Sequence, residues 1–262
     1  MHARLTRLVL AAAGVALVHH IALVADGPRV LIMEGGKHRL LLVDRASHAT
    51  VAENTEFGRI ECLAALSADE FLVCDGSRFV RVDRDLKERS RMPMGFEHVG
   101  SISPAGGDKL LISDTSRNTV EEIDAVGNRL WFISVHYPSG AVRLANGNTV
   151  VADGTADLKE FDSTGRLARH ARLRRWAASL DRLANGETLV GESLGYERLD
   201  PAGRSMWFRE SASRVSCIQA LPTGEIFLCE PDTHRVAIVD ADGRPVWELQ
   251  NLDYPWRAIY LK

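Results

Sequence analysis

Residues 218–250, IQALPTGEIFLCEPDTHRVAIVDADGRPVWELQ, hold four short apolar runs set apart by turn residues. The first run ends at Leu221 before the turn Pro222-Thr223-Gly224, the second closes at Glu230, the third at Asp240, and the fourth carries Trp247. No stretch of helical period lies between them, so the segment reads as an antiparallel meander of four strands.

Two sets of acids show that this segment is one copy of a repeat. The acid closing the second strand recurs as Glu34, Asp75, Asp114, Asp153, Glu192 and Glu230, at spacings of 41, 39, 39, 39 and 38. The acid closing the third recurs as Asp44, Asp83, Asp124, Asp162, Asp200 and Asp240, at spacings of 39, 41, 38, 38 and 40. Both give six copies of about 40 residues, the period of a β-propeller blade. The expected fold is therefore all-β: six four-stranded antiparallel blades in one domain over residues 26–262, since a lone blade cannot bury both of its faces.

Particular stretches also resemble a known class of repeats. PDTHRVAIVDADG in the sixth copy, DTSRNTVEEIDAVG in the third, and the turns LANGNTVVADG and LANGETLVGE in the fourth and fifth are similar to NHL-type repeats and to the related propellers of arylsulfotransferase-like and PQQ-like proteins. The resemblance covers nearly the whole chain and implies architecture alone, because such repeats serve lyases, lactonases, sulfotransferases and scaffolds alike. No complete active-site motif of those enzymes is present.

With 45% hydrophobic and 26% charged residues and a net charge of −3, the composition is that of a soluble globular protein with no basic surplus for nucleic acid. Arg172, Arg174 and Arg175 form the one dense basic cluster and read as a solvated loop.

The start differs from the rest. MHARLTR precedes the apolar run Leu8 to Val18, which resembles a signal peptide or short anchor, although Leu23 stands where a cleavage site ending at Ala25 calls for a small residue. Residues 1–25 thus read as signal peptide, anchor or first strand, and exported and cytoplasmic residence stay equally open. Their rival for the innermost strand of the first blade is the other terminus. Tyr254 to Leu261 matches Tyr137 to Leu144, the first strand of the fourth blade, so a C-terminal strand is expected to close the ring and remove two exposed edges. A monomer is expected.

Cys62 and Cys74 in the second copy, and Cys217 and Cys229 in the sixth, occupy the same two places. A three-residue hairpin turn sets each pair face to face. Ser101 and Ser113, Gly140 and Ala152, and Ser179 and Gly191 hold those places elsewhere, so the favoured reading is a site for small buried residues, with a disulfide in each pair as the alternative. The repeating acids are read as caps of their own turns rather than as cation ligands. Trp131, Trp207 and Trp247 are read as packing of outer strands between blades.

Function is expected where equivalent places differ. Seventeen and sixteen residues before the acid that closes the second strand, the ruler acid of each blade, the chain enters the innermost strand, and there stand Gly58 and Arg59, Glu97 and His98, His136 and Tyr137, Arg175 and Trp176, and Ser213 and Arg214. The C-terminal strand adds Asp253, Tyr254 and Trp256. No two places match, and polar and aromatic groups converging on a concave mouth suit a small molecule. The candidate catalytic residues are His98 and His136, placed to share a divalent metal or to act as base and acid, because imidazole titrates near neutral pH. The candidate ligand-binding residues are Arg59, Glu97, Tyr137, Arg175, Trp176, Arg214, Tyr254 and Trp256, the arginines suiting a carboxylate, sulfate or phosphate. Turns at the same mouth add Lys37, His38, Arg78, Arg117, Asp157, Tyr196 and His234.

Three functions fit. The first is a small-molecule binder or a lyase- or hydrolase-like enzyme. The second is a scaffold presenting one face to a partner protein. The third is redox work with a quinone cofactor, implied only by the resemblance and opposed by the small blade count and the absence of stacked tryptophans.

Overall fold

The chain, described by a computed structural model over residues 27–93 and 95–261, forms six sheets of four antiparallel strands. Blades two to six each run consecutively along the chain, from Ile60–Ala65 to Glu88–Pro93 in blade two and from Cys217–Ala220 to Pro245–Leu249 in blade six. The first strand of each blade touches the first strand of the next, all the way round, so six innermost strands enclose a channel. A β-propeller of six blades is the result. The one helical element among the described residues is the single turn Pro231–Thr233.

Blade one mixes the two ends of the chain. Its innermost strand is the C-terminal Pro255–Leu261, paired antiparallel with Arg29–Glu34, and Arg39–Asp44 and Thr50–Asn54 follow outward. The expected closure is therefore observed. The signal, anchor or first-strand readings of residues 1–25 lie outside the described residues.

Alternation along each strand builds the core. Val30 and Ile32 turn toward blade six, where they meet Phe227, Val236 and Ile238. Leu31 and Met33, one residue out of step, turn toward blade two and meet Phe71, Val73 and Val80. Two opposite faces with period two are what a strand offers. The same sharing continues round the ring, giving six apolar clusters that each lie between two neighbouring blades. No blade owns a core, so none can leave without exposing two. The outer tryptophans tie the seams: Trp131 Nε1 donates to the Ser163 carbonyl at 3.1 Å and Trp247 Nε1 to the Arg45 carbonyl at 2.8 Å, in each case across to the next blade.

The six acids closing the third strands cap their own turns as expected, and so do Asp114 and Asp153. The other acids closing second strands do not: Glu34 and Glu230 pair with arginines, Glu192 meets Glu197, and Asp75 accepts from the Gly58 and Arg59 amides. Asp114 Oδ1 accepts from the Ser116 and Arg117 amides at 2.9 and 3.0 Å, and Asp240 Oδ1 from those of Asp242 and Arg244, both at 2.9 Å. The donated N–H of Arg244 comes first among the causes that hold Asp240 below the usual carboxylate range, and the amide of Arg204 does the same for Asp200. A structural role of this kind recurs because the turn recurs.

The cysteine reading needs correction. The predicted register is right, with Cys62 opposite Cys74 and Cys217 opposite Cys229, but each pair is a disulfide rather than two free packing residues. The Cα atoms stand 5.1 and 4.9 Å apart across the ladder, within the span a disulfide bridges.

Candidate functional site

Sequence counting put two residues per blade at the channel mouth, and the strand pleat separates them. The residues sixteen before the ruler acid, Arg59, His98, Tyr137, Trp176 and Arg214, all line a cavity of about 600 Å³. Tyr254 is their counterpart in blade one, since Pro255 pairs with Glu34 as Ile60 pairs with Asp75, and it lines the cavity too. The residues seventeen before the acid face the other way, so Glu97, His136 and Arg175 do not line it. Arg175 instead donates to the Leu194 carbonyl at 2.6 Å and lies over the Phe208 ring with Arg174.

A second ring lies one step deeper. In blades two, three and five the ladder skips one residue, Glu61, Gly100 or Ala178, and in blade one it skips Trp256. Such a bulge turns the skipped side chain out of the sheet's alternation. All four line the cavity, together with Ser139 of blade four. The small residues of blades three to five leave space, while Glu61 and Trp256 fill the opposite side. Gly100 has a particular reason to be glycine: a Cβ there would stand 2.7 Å from the Pro138 carbonyl oxygen.

Aromatic rings form two of the walls. Tyr254 and Trp256 lie parallel, 3° from coplanar in orientation with centroids 5.9 Å apart, and Tyr137 and Trp176 tilt toward each other at 6.5 Å. Tyr137 and Tyr254 both hold left-handed backbone conformations, at φ 47° and 56°. Bulky side chains adopt this region rarely and at a cost of about 1 kcal/mol or more, and such outliers gather at binding and catalytic sites. Tyr137 is held by its amide donating to Asn118 Oδ1 at 2.8 Å, and Tyr254 by its carbonyl accepting from the Gly35 amide at 2.9 Å.

Charged groups complete the site. Glu61 Oε1 is 2.6 Å from Arg59 Nη2 and 3.6 Å from His98 Nδ1, so one carboxylate lies between a guanidinium and an imidazole. Arg214 lies over the Trp256 ring at 5.0 Å, donates to the Tyr254 hydroxyl at 3.2 Å and faces Asp232 at 3.4 Å. Arg257 lies over Trp256 too, at 5.0 Å, and reaches across the channel to the carbonyls of Gly100, at 2.6 Å, and Ser216. Burial first, and then the charge of Arg214, bring its guanidinium down to about 10.

Of the charged and imidazole side chains lining the cavity, three lie outside the catalytic and ligand-binding set expected from the sequence: Glu61, Arg257 and His38. His38, from the turn between the first two described strands of blade one, is expected only as a mouth residue, and its Nδ1 is buried without a partner. The other turn residues expected at the mouth, Lys37, Arg78, Arg117, Asp157, Tyr196 and His234, do not line the cavity, whereas Thr115 and Ser116 do. The paired-histidine metal site is not formed, because His98 faces the cavity and His136 does not. Among the described residues, no group of three or more His, Cys, Asp or Glu side chains is placed to hold a metal ion.

No protein-family model matches the sequence, and no curated protein matches it. Solved structures do. A protein of unknown function from Bacteroides caccae superposes with a TM-score of 0.74 at 17% identity, covering 90% of this chain and all of that one, 100%. A streptogramin B lyase superposes with a TM-score of 0.64 at 13% identity, covering 86% of this chain and 80% of that one. These likenesses show the propeller and leave its activity open, and the resemblance to NHL-type, PQQ-like and arylsulfotransferase-like repeats stays at the level of architecture.

Proposed function

We propose that the protein binds a small organic molecule in the channel-mouth cavity, and that His98 with Glu61 gives this site the means for lyase- or hydrolase-like proton transfer. The observation that carries the reading is the mouth ring itself. Arg59, His98, Tyr137, Trp176, Arg214 and Tyr254 occupy one equivalent place in six blades and all face one cavity, and among them only arginine and tyrosine occur twice. Packing demands recur with the repeat, whereas a ring of unlike side chains is what recognition of an asymmetric ligand requires. The Glu61 carboxylate stands 3.6 Å from His98 Nδ1, a carboxylate beside an imidazole, which is the pairing a proton-transferring histidine uses. A propeller neighbour that is a lyase supports this choice of reaction class.

The scaffold reading draws less support. Of the large exposed apolar side chains, Val51 in blade one, Leu130 and Phe132 in blade three, Leu167 in blade four, Met206 in blade five and Val246 in blade six lie on outer strands, Val126 and Leu194 lie in turns, and Tyr137 lines the mouth cavity. Apolar residues scattered in this way do not mark a docking face. The two disulfides support the exported reading of the chain, since such bridges persist in oxidising compartments.

A thermal-shift screen of small organic compounds tests the proposal. Compounds that raise the Tm of the wild type are expected to lose that effect with Trp256→Ala and Tyr137→Ala and to keep it with Leu130→Ser on the outer edge. Hits that are converted to product are expected to bind His98→Ala within about tenfold of wild type and to remain unconverted there. Equal responses from all these variants would rule the mouth out.

A further inference from the structure

Arg257 is a cation without a counter-ion at the axis of the ring. Its nitrogens meet the carbonyl oxygens of Gly100, Ser216 and Trp256, and no described carboxylate forms an ion pair with it. It lines both the mouth cavity and a second cavity of about 320 Å³ below it, and so forms the floor between the two. The carboxyl of that lower cavity, Asp181, accepts from the Ala220 amide at 2.8 Å, is pushed up by burial and forms no ion pair with Arg257. Arg257 is half-buried, opening on both cavities, and a guanidinium so placed is costly unless charge or ample hydrogen bonding offsets it.

Counting charge around the mouth decides what is missing. Arg59 is matched by Glu61 and Arg214 by Asp232, which leaves Arg257 alone and one positive charge over. Of its five N–H groups, three acceptors engage part of the set, and a planar oxyanion needs only two parallel donors. Above it the Trp256 indole carries Arg214 and Arg257 both at 5.0 Å and lies parallel to Tyr254, an apolar shelf with Ser139, Ala178 and Gly100 leaving room opposite.

We propose that this cavity selects a small organic monoanion, its carboxylate or sulfonate oxygens at Arg257 and a flat apolar body along Trp256 and Tyr254. The assignment rests on the mouth being a small-molecule site, and it adds the charge and shape of the ligand. A doubly charged phosphate monoester exceeds the single unmatched charge, and a neutral analogue leaves Arg257 without its partner.

Isothermal titration at pH 7.5 with benzoate, benzenesulfonate, benzamide and phenyl phosphate provides the test. Benzoate and benzenesulfonate are expected to bind at least tenfold more tightly than benzamide and phenyl phosphate. Arg257→Gln should remove that advantage and leave benzamide unchanged. Glu61→Gln, which frees Arg59, should narrow the gap between phenyl phosphate and benzoate at least threefold, and it decides the matter if Arg257→Gln fails to fold. Benzamide binding as tightly as benzoate, with Trp256→Ala weakening both, would overturn the monoanion assignment and leave the mouth as a site. Failure of every probe to bind, or binding to wild type and Trp256→Ala alike, would overturn both.

Discussion

Glu192 and Glu197 meet inside blade five with no cation between them, 0% and 1% exposed to solvent. The equivalent place five residues after the ruler acid holds Arg39 in blade one and Arg235 in blade six, where the guanidiniums pair with Glu34 and Glu230. Blade five replaces that ion pair with two acids. Three of their four oxygens have no hydrogen-bond partner, and a proton on Glu192 would supply a donor between them.

The pair makes stability depend on pH. Burial, and then the neighbouring Glu197, push Glu192 up to about 8, above the value near 4.3 of a free glutamate. A carboxyl raised on folding contributes fully when both states are protonated and loses that contribution as pH climbs to its folded pKa. Urea denaturation is therefore expected to show stability falling by at least ~2 kcal/mol between pH 5 and pH 9 on account of this pair. Glu192→Gln should flatten the fall, and Glu197→Arg, which recreates the arrangement of blades one and six, should reverse its sign. A wild-type profile no steeper than that of Glu192→Gln would show that the pair does not share a proton.

The two disulfides each staple an innermost strand to its neighbour across a separation of 12 residues. Short loops of this kind gain about 3 kcal/mol or less from a bridge, and a hairpin already closed by its turn gains less still. Reduction should lower stability by ~1 to 3 kcal/mol per bridge without unfolding the ring. Ser101 with Ser113 and Gly140 with Ala152 hold the same register unbridged in blades three and four. Melting curves with and without reductant check this. Cys62→Ser with Cys74→Ala should reproduce the loss for blade two, and the double variant should respond to reductant by only the remaining bridge.

Closure by the C-terminal strand predicts a steep cost for removing it. Ending the chain at Asp253 deletes the strand that fills the place next to Arg29–Glu34 and strips two apolar clusters of Ala258, Ile259 and Trp256. Such a chain is expected to lose cooperative unfolding by circular dichroism, and an unchanged melting transition would show that the ring closes some other way.

How much of this was legible in the sequence follows from what repeats. The blade count, the hairpin register and the closure all rest on period and turn chemistry, which act locally and leave marks at fixed spacing. The mouth ring was half legible. Residues sixteen and seventeen before the ruler acid alternate across the sheet, so one column faces the channel, and nothing in the spacing alone says which. The deeper ring was legible only at Trp256: Glu61, Gly100 and Ala178 likewise stand two residues past the mouth ring, but the bulges there break the hairpin ladder, so a register counted back from the turn does not carry through to them. A signal did exist for Arg257. It stands opposite Met33 at the place where other blades put cysteine, serine or glycine, and a long cation at a small-residue position marks a break in the pattern.

Repeating and non-repeating positions should therefore separate by experiment. Asp114→Ala removes the acceptor of the Ser116 and Arg117 amides from a fully buried place, which should cost ~1 to 2 kcal/mol of stability. Ligand affinity at the mouth is expected to change little. The measurement is a denaturation curve set beside a titration on the same sample, and a loss of affinity without a loss of stability would reverse the assignment.

The histidines give the most direct check on which column faces the channel. His98 lines the cavity beside Glu61, while His136, one residue out of step in the next blade, lies at the exposed surface with its carbonyl accepting from the Gly154 amide at 3.3 Å. His98→Ala should weaken a bound anion about tenfold, the scale of one lost charge-assisted hydrogen bond of ~1.5 kcal/mol. His136→Ala should leave both affinity and stability within ~0.5 kcal/mol of wild type, as expected for a solvated side chain. Were the two to behave alike, the histidines would belong to one site after all, and the separation of columns by the pleat would not govern the mouth.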